Sequence, residues 1–164
     1  MKQGESQKQR TVLLLVIIIA VLAVGYLLSG KYPVFDFDGN TNNLSAVVTV
    51  ENTPMVNGAL PLPRGFPQDI PIEDSEIVES STTYYPAQNA DQLSVSYRST
   101  KTIWQKYAEY KDYMNQAGYS LTEGDSNAPV RTISGSKENI SLSVIVSSVE
   151  GGTLVQLSYL LKSL

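Results

Sequence analysis

Hydrophobic and polar positions change their rhythm three times along this chain. From Thr11 to Gly30 the residues read TVLLLVIIIAVLAVGYLLSG, an apolar run without a single charge. At about 1.5 Å per residue, a helix of this length spans roughly 30 Å, the thickness of a bilayer's hydrocarbon core. A signal-peptide core is usually only about 7–15 residues long and ends in a small-residue cleavage site. Here the small residues Ala23 and Gly25 lie inside the apolar run. The pattern predicts a retained transmembrane helix over 11–30. Lys2, Lys8 and Arg10 outweigh Glu5 on its N-terminal side, whereas Lys31 is followed by Asp36 and Asp38 on the other. Excess Lys and Arg marks the cytoplasmic side, so residues 1–10 are expected to be a cytoplasmic tail and the bulk of the chain extracytoplasmic.

From Lys31 to Arg64 there is no sustained period. GNTNN, ENTP, NG and PLPRG are turn and breaker signals, and proline biases the backbone toward extended forms. Residues 31–64 are read as an extended stalk. Within it, LSAVVTV (Leu44–Val50) is β-branched enough for a short strand, either docked on the domain or apart from it. The stretch GFPQDIPIEDSEIV then places Pro67 and Pro71 around Asp69 and Ile70. Proline fixes φ and removes a donor, so this reads as an irregular lead-in pinned to a core by Phe66, Ile70 and Ile72.

The third regime is alternation around one helix. SEIVESSTTYY (75–85) reads as a strand and PAQNADQ as a loop. LSVSYRS sets Leu93, Val95 and Tyr97 against Ser94, Ser96 and Arg98. SLTEGDSNAP reads as a short strand entering a turn, VRTISGS as a strand, and ISLSVIVSSV as a strand with Ile140, Leu142, Val144 and Val146 on one face. EGG offers a hairpin turn with positive φ at Gly151 and Gly152. TLVQLSYLL closes the pattern with Val155, Leu157 and Tyr159 in phase. The expected fold class is α+β: an N-terminal transmembrane helix, then a two-layer domain over 65–164, with one amphipathic helix on an antiparallel sheet of about five strands.

The helix is TIWQKYAEYKDYMNQAGY (102–119). At about 100° per residue, Ile103, Tyr107, Tyr110, Met114 and Ala117 form one stripe. Gln105, Glu109, Asp112 and Gln116 fall opposite. Thr102 with Gln105 fits a capping box, and Gly118 fits a left-handed stop with Tyr119 against Met114. Most of the aromatics are thereby core. Trp104 and Tyr113 stand on the two shoulders of the stripe, and these two are the candidate partner contacts.

Composition narrows the chemistry. The chain has no His and no Cys, which removes the commonest general base, the commonest metal ligand, any thiolate and any lipid-bearing cysteine. From Ser29 onward nine Lys and Arg face fifteen Asp and Glu, so neither nucleic acid nor an anionic membrane surface is an expected partner. SGSK (134–137) matches S-x-x-K, but on a strand-to-turn stretch its Ser and Lys would not share a helical face. DFDGNTN offers Asp36, Asp38 and Asn40 at calcium-loop spacing, yet Thr41 stands where glycine belongs and Val47 where Glu belongs. Glu73, Asp74, Glu76 and Glu79 cluster in IEDSEIVE and read as a charged edge strand. Asn43 and Asn139 sit in glycosylation acceptor patterns. No catalytic residue, cofactor or metal site is expected.

Phe66, Pro67, Asp69, Ile70, Pro71 and Ile72 form an FPxDIPI-like lead-in, and Tyr107, Tyr110, Gly118 and Tyr119 fit YxxYxxxxGY. Over Phe66–Leu161 the chain thereby resembles a group of small bacterial extracytoplasmic domains tethered by a lipid or one helix. It is also distantly similar in layout to the domains of BamC-type lipoproteins of outer-membrane assembly. That group is mostly uncharacterised and the shared motifs are structural rather than catalytic; the anchor, the stalk and the lack of a catalytic set are what point to a binding or scaffold role. The expectation is a single-pass, membrane-anchored extracytoplasmic scaffold domain, not an enzyme. It would meet the lipid bilayer through Thr11–Gly30 and a membrane or envelope protein through its domain. The alternative expectation is a small-ligand sensor or carrier with a pocket between helix and sheet.

Overall fold

Period-two alternation in the C-terminal half becomes one antiparallel sheet in the computed structural model, which describes residues 48–73, 76–125 and 128–163. Its strands are β1 (Thr49–Asn52), β2 (Ile77–Tyr85), β3 (Ala90–Ser99), β4 (Ser120–Glu123), β5 (Arg131–Lys137), β6 (Ile140–Val149) and β7 (Gly152–Lys162). One α-helix, α1 (Ile103–Gln116), joins β3 to β4. The spatial order is β1-β2-β3-β7-β6-β5-β4, so β7 lies between β3 and β6 and the link through α1 crosses the sheet to its far edge.

This corrects the expected architecture. The sheet has seven strands, not about five. No helix among the described residues is long and apolar enough to cross a membrane, and Thr11–Gly30 lie outside the described residues. Of the two four-residue strands, β4 is the short strand read in SLTE, and β1 is the one added to the sheet. Every residue of β1 is exposed, and backbone pairing with Ser81–Tyr84 of β2 holds it. A strand held this way buries neither face and so leaves no apolar period to read. It also overlaps the Leu44–Val50 island only at its C-terminal end, and it lies outside β2, which is therefore not an edge strand over 81–84. In the PAQNADQ stretch, a 3-10 turn at Pro86–Gln88 and a left-handed Asn89 are followed at once by β3, which begins at Ala90 rather than at the expected Leu93.

The helix face of the sheet is apolar. Val95, Tyr97, Ile133, Leu142, Val144, Val146, Val155 and Leu157 are buried there beneath Tyr110 and Met114 of α1. The helix lies over β4, β5 and β6. The remaining area is covered by the lead-in, which buries Phe66 and Ile70 and sets the Phe66 ring 6.3 Å from that of Tyr159. The local helix signals are all realised. Thr102 and Gln105 make both bonds of a capping box. At the other end Gly118 has φ 80°, its amide bonds Asn115 O, and the Tyr119 amide bonds Met114 O at 2.9 Å. That is the paired-bond helix stop which a left-handed glycine permits.

The opposite face is mixed, with Leu154, Leu160, Gln92 and Gln156 buried on it, and it carries a row of small polar residues in register. The row runs Asn52, Ser81, Ser94, Ser158, Ser143, Ser134, Thr122 across all seven strands. At about 4.8 Å between strands the row is roughly 29 Å long. Ser158, at its centre, is buried, and its Oγ has no hydrogen-bond partner.

Candidate functional site

Two clusters of chemistry-bearing side chains flank α1. The first is interior. Lys106 is fully buried, with its Nζ 3.2 Å from Glu73 and 2.9 Å from Glu109. The same ammonium lies 5.3 Å from the Tyr97 ring centroid and 5.0 Å from that of Tyr110. Burial opposes the Lys106 charge, but hydrogen bonding to Tyr97, Glu109 and Glu73 more than offsets it and raises the pKa. For Glu73, burial also raises the pKa, yet Ser99 and Lys106 hold the carboxyl below its ordinary value. Glu73 belongs to the lead-in, so the cluster ties that segment to the helix. Tyr110 adds a hydrogen bond to Pro71 O at 2.6 Å and Tyr113 one to Asp69 at 2.9 Å. Every contact of this cluster is internal, and it reads as a structural clasp.

The second cluster is at the surface, where α1 begins. Trp104, in the first turn, is 62% exposed. Arg131, the first residue of β5, is in phase with Ile133 and Gly135 and so points to the helix side of the sheet. Its guanidinium carbon lies 3.7 Å from the Trp104 ring centroid, a stacking distance. Arg131 is only 7% exposed. Among the described residues its guanidinium makes no ion pair and no hydrogen bond, whereas Lys101, Lys106 and Lys111 each hold a carboxylate. Trp104 and Arg131 open on a cavity of about 470 Å³, also lined by Thr100, Ser148, Gly152 and Thr153. Beside it, the Tyr107 hydroxyl donates to Glu123, which Lys111 also holds at 2.8 Å. Burial, then the bond to Glu123, pushes the Tyr107 pKa up to about 12.

The structure separates the two shoulder residues. Trp104 and Tyr113 are nine residues apart on α1, on opposite flanks and about 13 Å apart along its axis. Tyr113 is half-buried against Tyr119, with ring centroids 6.4 Å apart. Tyr97 lies beneath the helix, fully buried. Between helix and sheet the volume is filled by Tyr110, Met114, Leu142 and Val144. A second groove, of about 720 Å³, lies instead between residues 55–62 and the lead-in.

The other motifs disperse. Ser134 joins the serine row, while Lys137, three residues on in the same strand, donates to Ala117 O at 2.9 Å and caps the helix. Gly135 between them lets Tyr119 and Met114 approach, since a Cβ there would stand 2.8 Å from Tyr119 Cβ. Glu79 bonds Ser96 on the serine face, far in role from Glu73. Asn139 is held to Lys162 O at 2.7 Å. The calcium-like Asp36, Asp38 and Asn40 and the acceptor Asn43 lie outside the described residues. No group of three potential metal ligands occurs among those described. Lys106 and Arg131 escaped the sequence reading, although both carried a signal. Lys106 falls at about 300° on the helical wheel, inside the apolar arc, and Arg131 is in phase with Ile133.

Comparison of the chain with protein-family models, with curated proteins and with solved structures finds no match.

Proposed function

We propose that this chain is a membrane-tethered extracytoplasmic binding domain that docks a protein of the cell envelope through the Trp104 corner. One observation carries the reading: a tryptophan exposed over 62% of its surface, backed on one ring face by a buried arginine. An exposed large aromatic costs solvation, and a stacked guanidinium holds it in place. Rigid Trp and Arg side chains are the residues that dominate binding energy at protein interfaces. The charge-free run Thr11–Gly30, with its basic flank on the N-terminal side, supports the tether and its orientation.

The test is photo-crosslinking from position 104 of the full chain in its native membranes, with Asp112, exposed on the outer side of α1, as the control position. A discrete adduct from 104 and none from 112 supports the reading. Recovery of the chain outside the membrane fraction, or identical adducts from both positions, counts against it.

A further inference from the structure

We propose that the cavity at the start of α1 is a carboxylate-binding site, which takes a single peptide carboxylate on the Arg131 guanidinium. This rests on the reading of the Trp104 corner as a docking surface and names the chemical group docked there. One face of the guanidinium lies on the indole, so its in-plane N–H edge is what remains for a ligand. That edge matches the two oxygens of a carboxylate in a paired, charge-assisted geometry. A buried guanidinium without a carboxylate is costly to maintain in a folded domain. The neighbouring cations do not share this state, since Lys101 lies 3.1 Å from Glu109 and Lys111 2.8 Å from Glu123.

Three further features fit an anion of charge −1. The capping box uses the Thr102 and Gln105 amides, which leaves those of Ile103 and Trp104 at a helix end that carries partial positive charge. Thr100, Ser148 and Thr153 supply hydroxyls to the same cavity. Two cations line the cavity, but Lys101 is already held by Glu73 and Glu109, which leaves one guanidinium in a chain of net charge −4, so a dianion is poorly matched. The exposed face of Trp104 is left for the apolar part of the residue that bears the carboxylate.

The chain has a single tryptophan, so its fluorescence reports this site alone. The full chain in neutral-detergent micelles is titrated with N-acetylglycine, which mimics a chain end, and with N-acetylaspartate amide, which mimics an acidic side chain. N-acetylglycinamide serves as the neutral control and inorganic phosphate as the dianion. The expected result is a saturable emission change with a carboxylate probe, with a dissociation constant on the order of 1 mM, and none with the amide. The tighter of the two carboxylates names the source. Arg131→Gln abolishes the response, and Arg131→Lys, which keeps the charge but loses the planar fork, weakens it about tenfold. The Lys variant decides alone if the Gln variant does not fold. An equal response to the amide, tighter binding of phosphate, no saturation, or an Arg131→Lys variant that binds as well as the parent overturns the proposal. Crosslinking from position 104 that persists in a carboxylate-blind Arg131 variant leaves the docking surface standing and removes only the carboxylate.

Discussion

The hydroxyls of Tyr97 and Tyr110 meet at 2.7 Å beneath the helix. Tyr110 spends its proton on Pro71 O, so Tyr97 is the donor between the two. The chain of donors therefore runs from the sheet, through the helix, to the lead-in. Removing the middle hydroxyl strands both neighbours. Tyr110→Phe is expected to cost about 1–3 kcal/mol, because it leaves the Tyr97 hydroxyl without its acceptor and Pro71 O without its donor. Urea unfolding checks this; stability equal to the parent's would mean that neither bond contributes.

Lys106 sets a second expectation. Truncation to Ala removes the buried cation between Glu73 and Glu109, leaves them only the half-exposed Lys101, and opens a hole beside Tyr97, a loss of about 2–5 kcal/mol. Lys106→Met keeps the volume, so it should lose less than the Ala variant in the same measurement.

The same clasp has a pH sense. Glu73 has a lowered pKa when folded, so it contributes stability above the ordinary carboxylate value and loses it as pH falls through the folded value. Lys106 has a raised pKa, so its contribution is complete below the ordinary lysine value and fades only as pH rises through the folded one. The acid limb of the stability profile should flatten in Glu73→Gln. An unchanged acid limb would place the acid sensitivity elsewhere.

Gly152 has φ 154°, and a Cβ there would stand 2.4 Å from Ser99 O. The central hairpin residues are Glu150 and Gly151, with Val149 paired to Gly152, so the second glycine is needed for close approach rather than for the turn itself. Gly152→Ala must push the backbone of β3 away, with a loss of about 1–3 kcal/mol. A melting temperature equal to the parent's would show that β3 yields freely.

Ser158 gives the opposite expectation. Its Oγ is buried without a partner, so Ser158→Ala removes an unmet polar group. The variant should be neutral or slightly more stable in thermal unfolding. A clear loss would mean that the hydroxyl is engaged.

What could be read in advance follows from how local each cause is. The caps at Thr102 and Gly118 are set by residues within one turn, and both were legible. So was the phase of β6, where alternate residues are buried, and the core face of β3 and β7, although β7 is buried on both faces over 153–160. β1 was not, because Thr49–Asn52 are exposed on both faces and paired only through backbone. At the candidate site Trp104 was legible as a shoulder residue. Its partner Arg131 comes from 27 positions downstream, and only the order of strands brings it under the indole. The serine row was hidden for the same reason: seven unremarkable residues align only once the register is known.

The place of β7 reaches beyond the finished molecule. Residues 152–162 supply the strand that joins β3 to β6, so until they are made the sheet exists as two unlinked halves. During synthesis, β1–β3 and β4–β6 must each keep an open edge and a bare apolar face in front of α1. Such intermediates invite pairing with other chains. A nascent chain halted at Val149 would be a candidate for chaperone capture or degradation, while one halted only a dozen residues later already has every strand it needs.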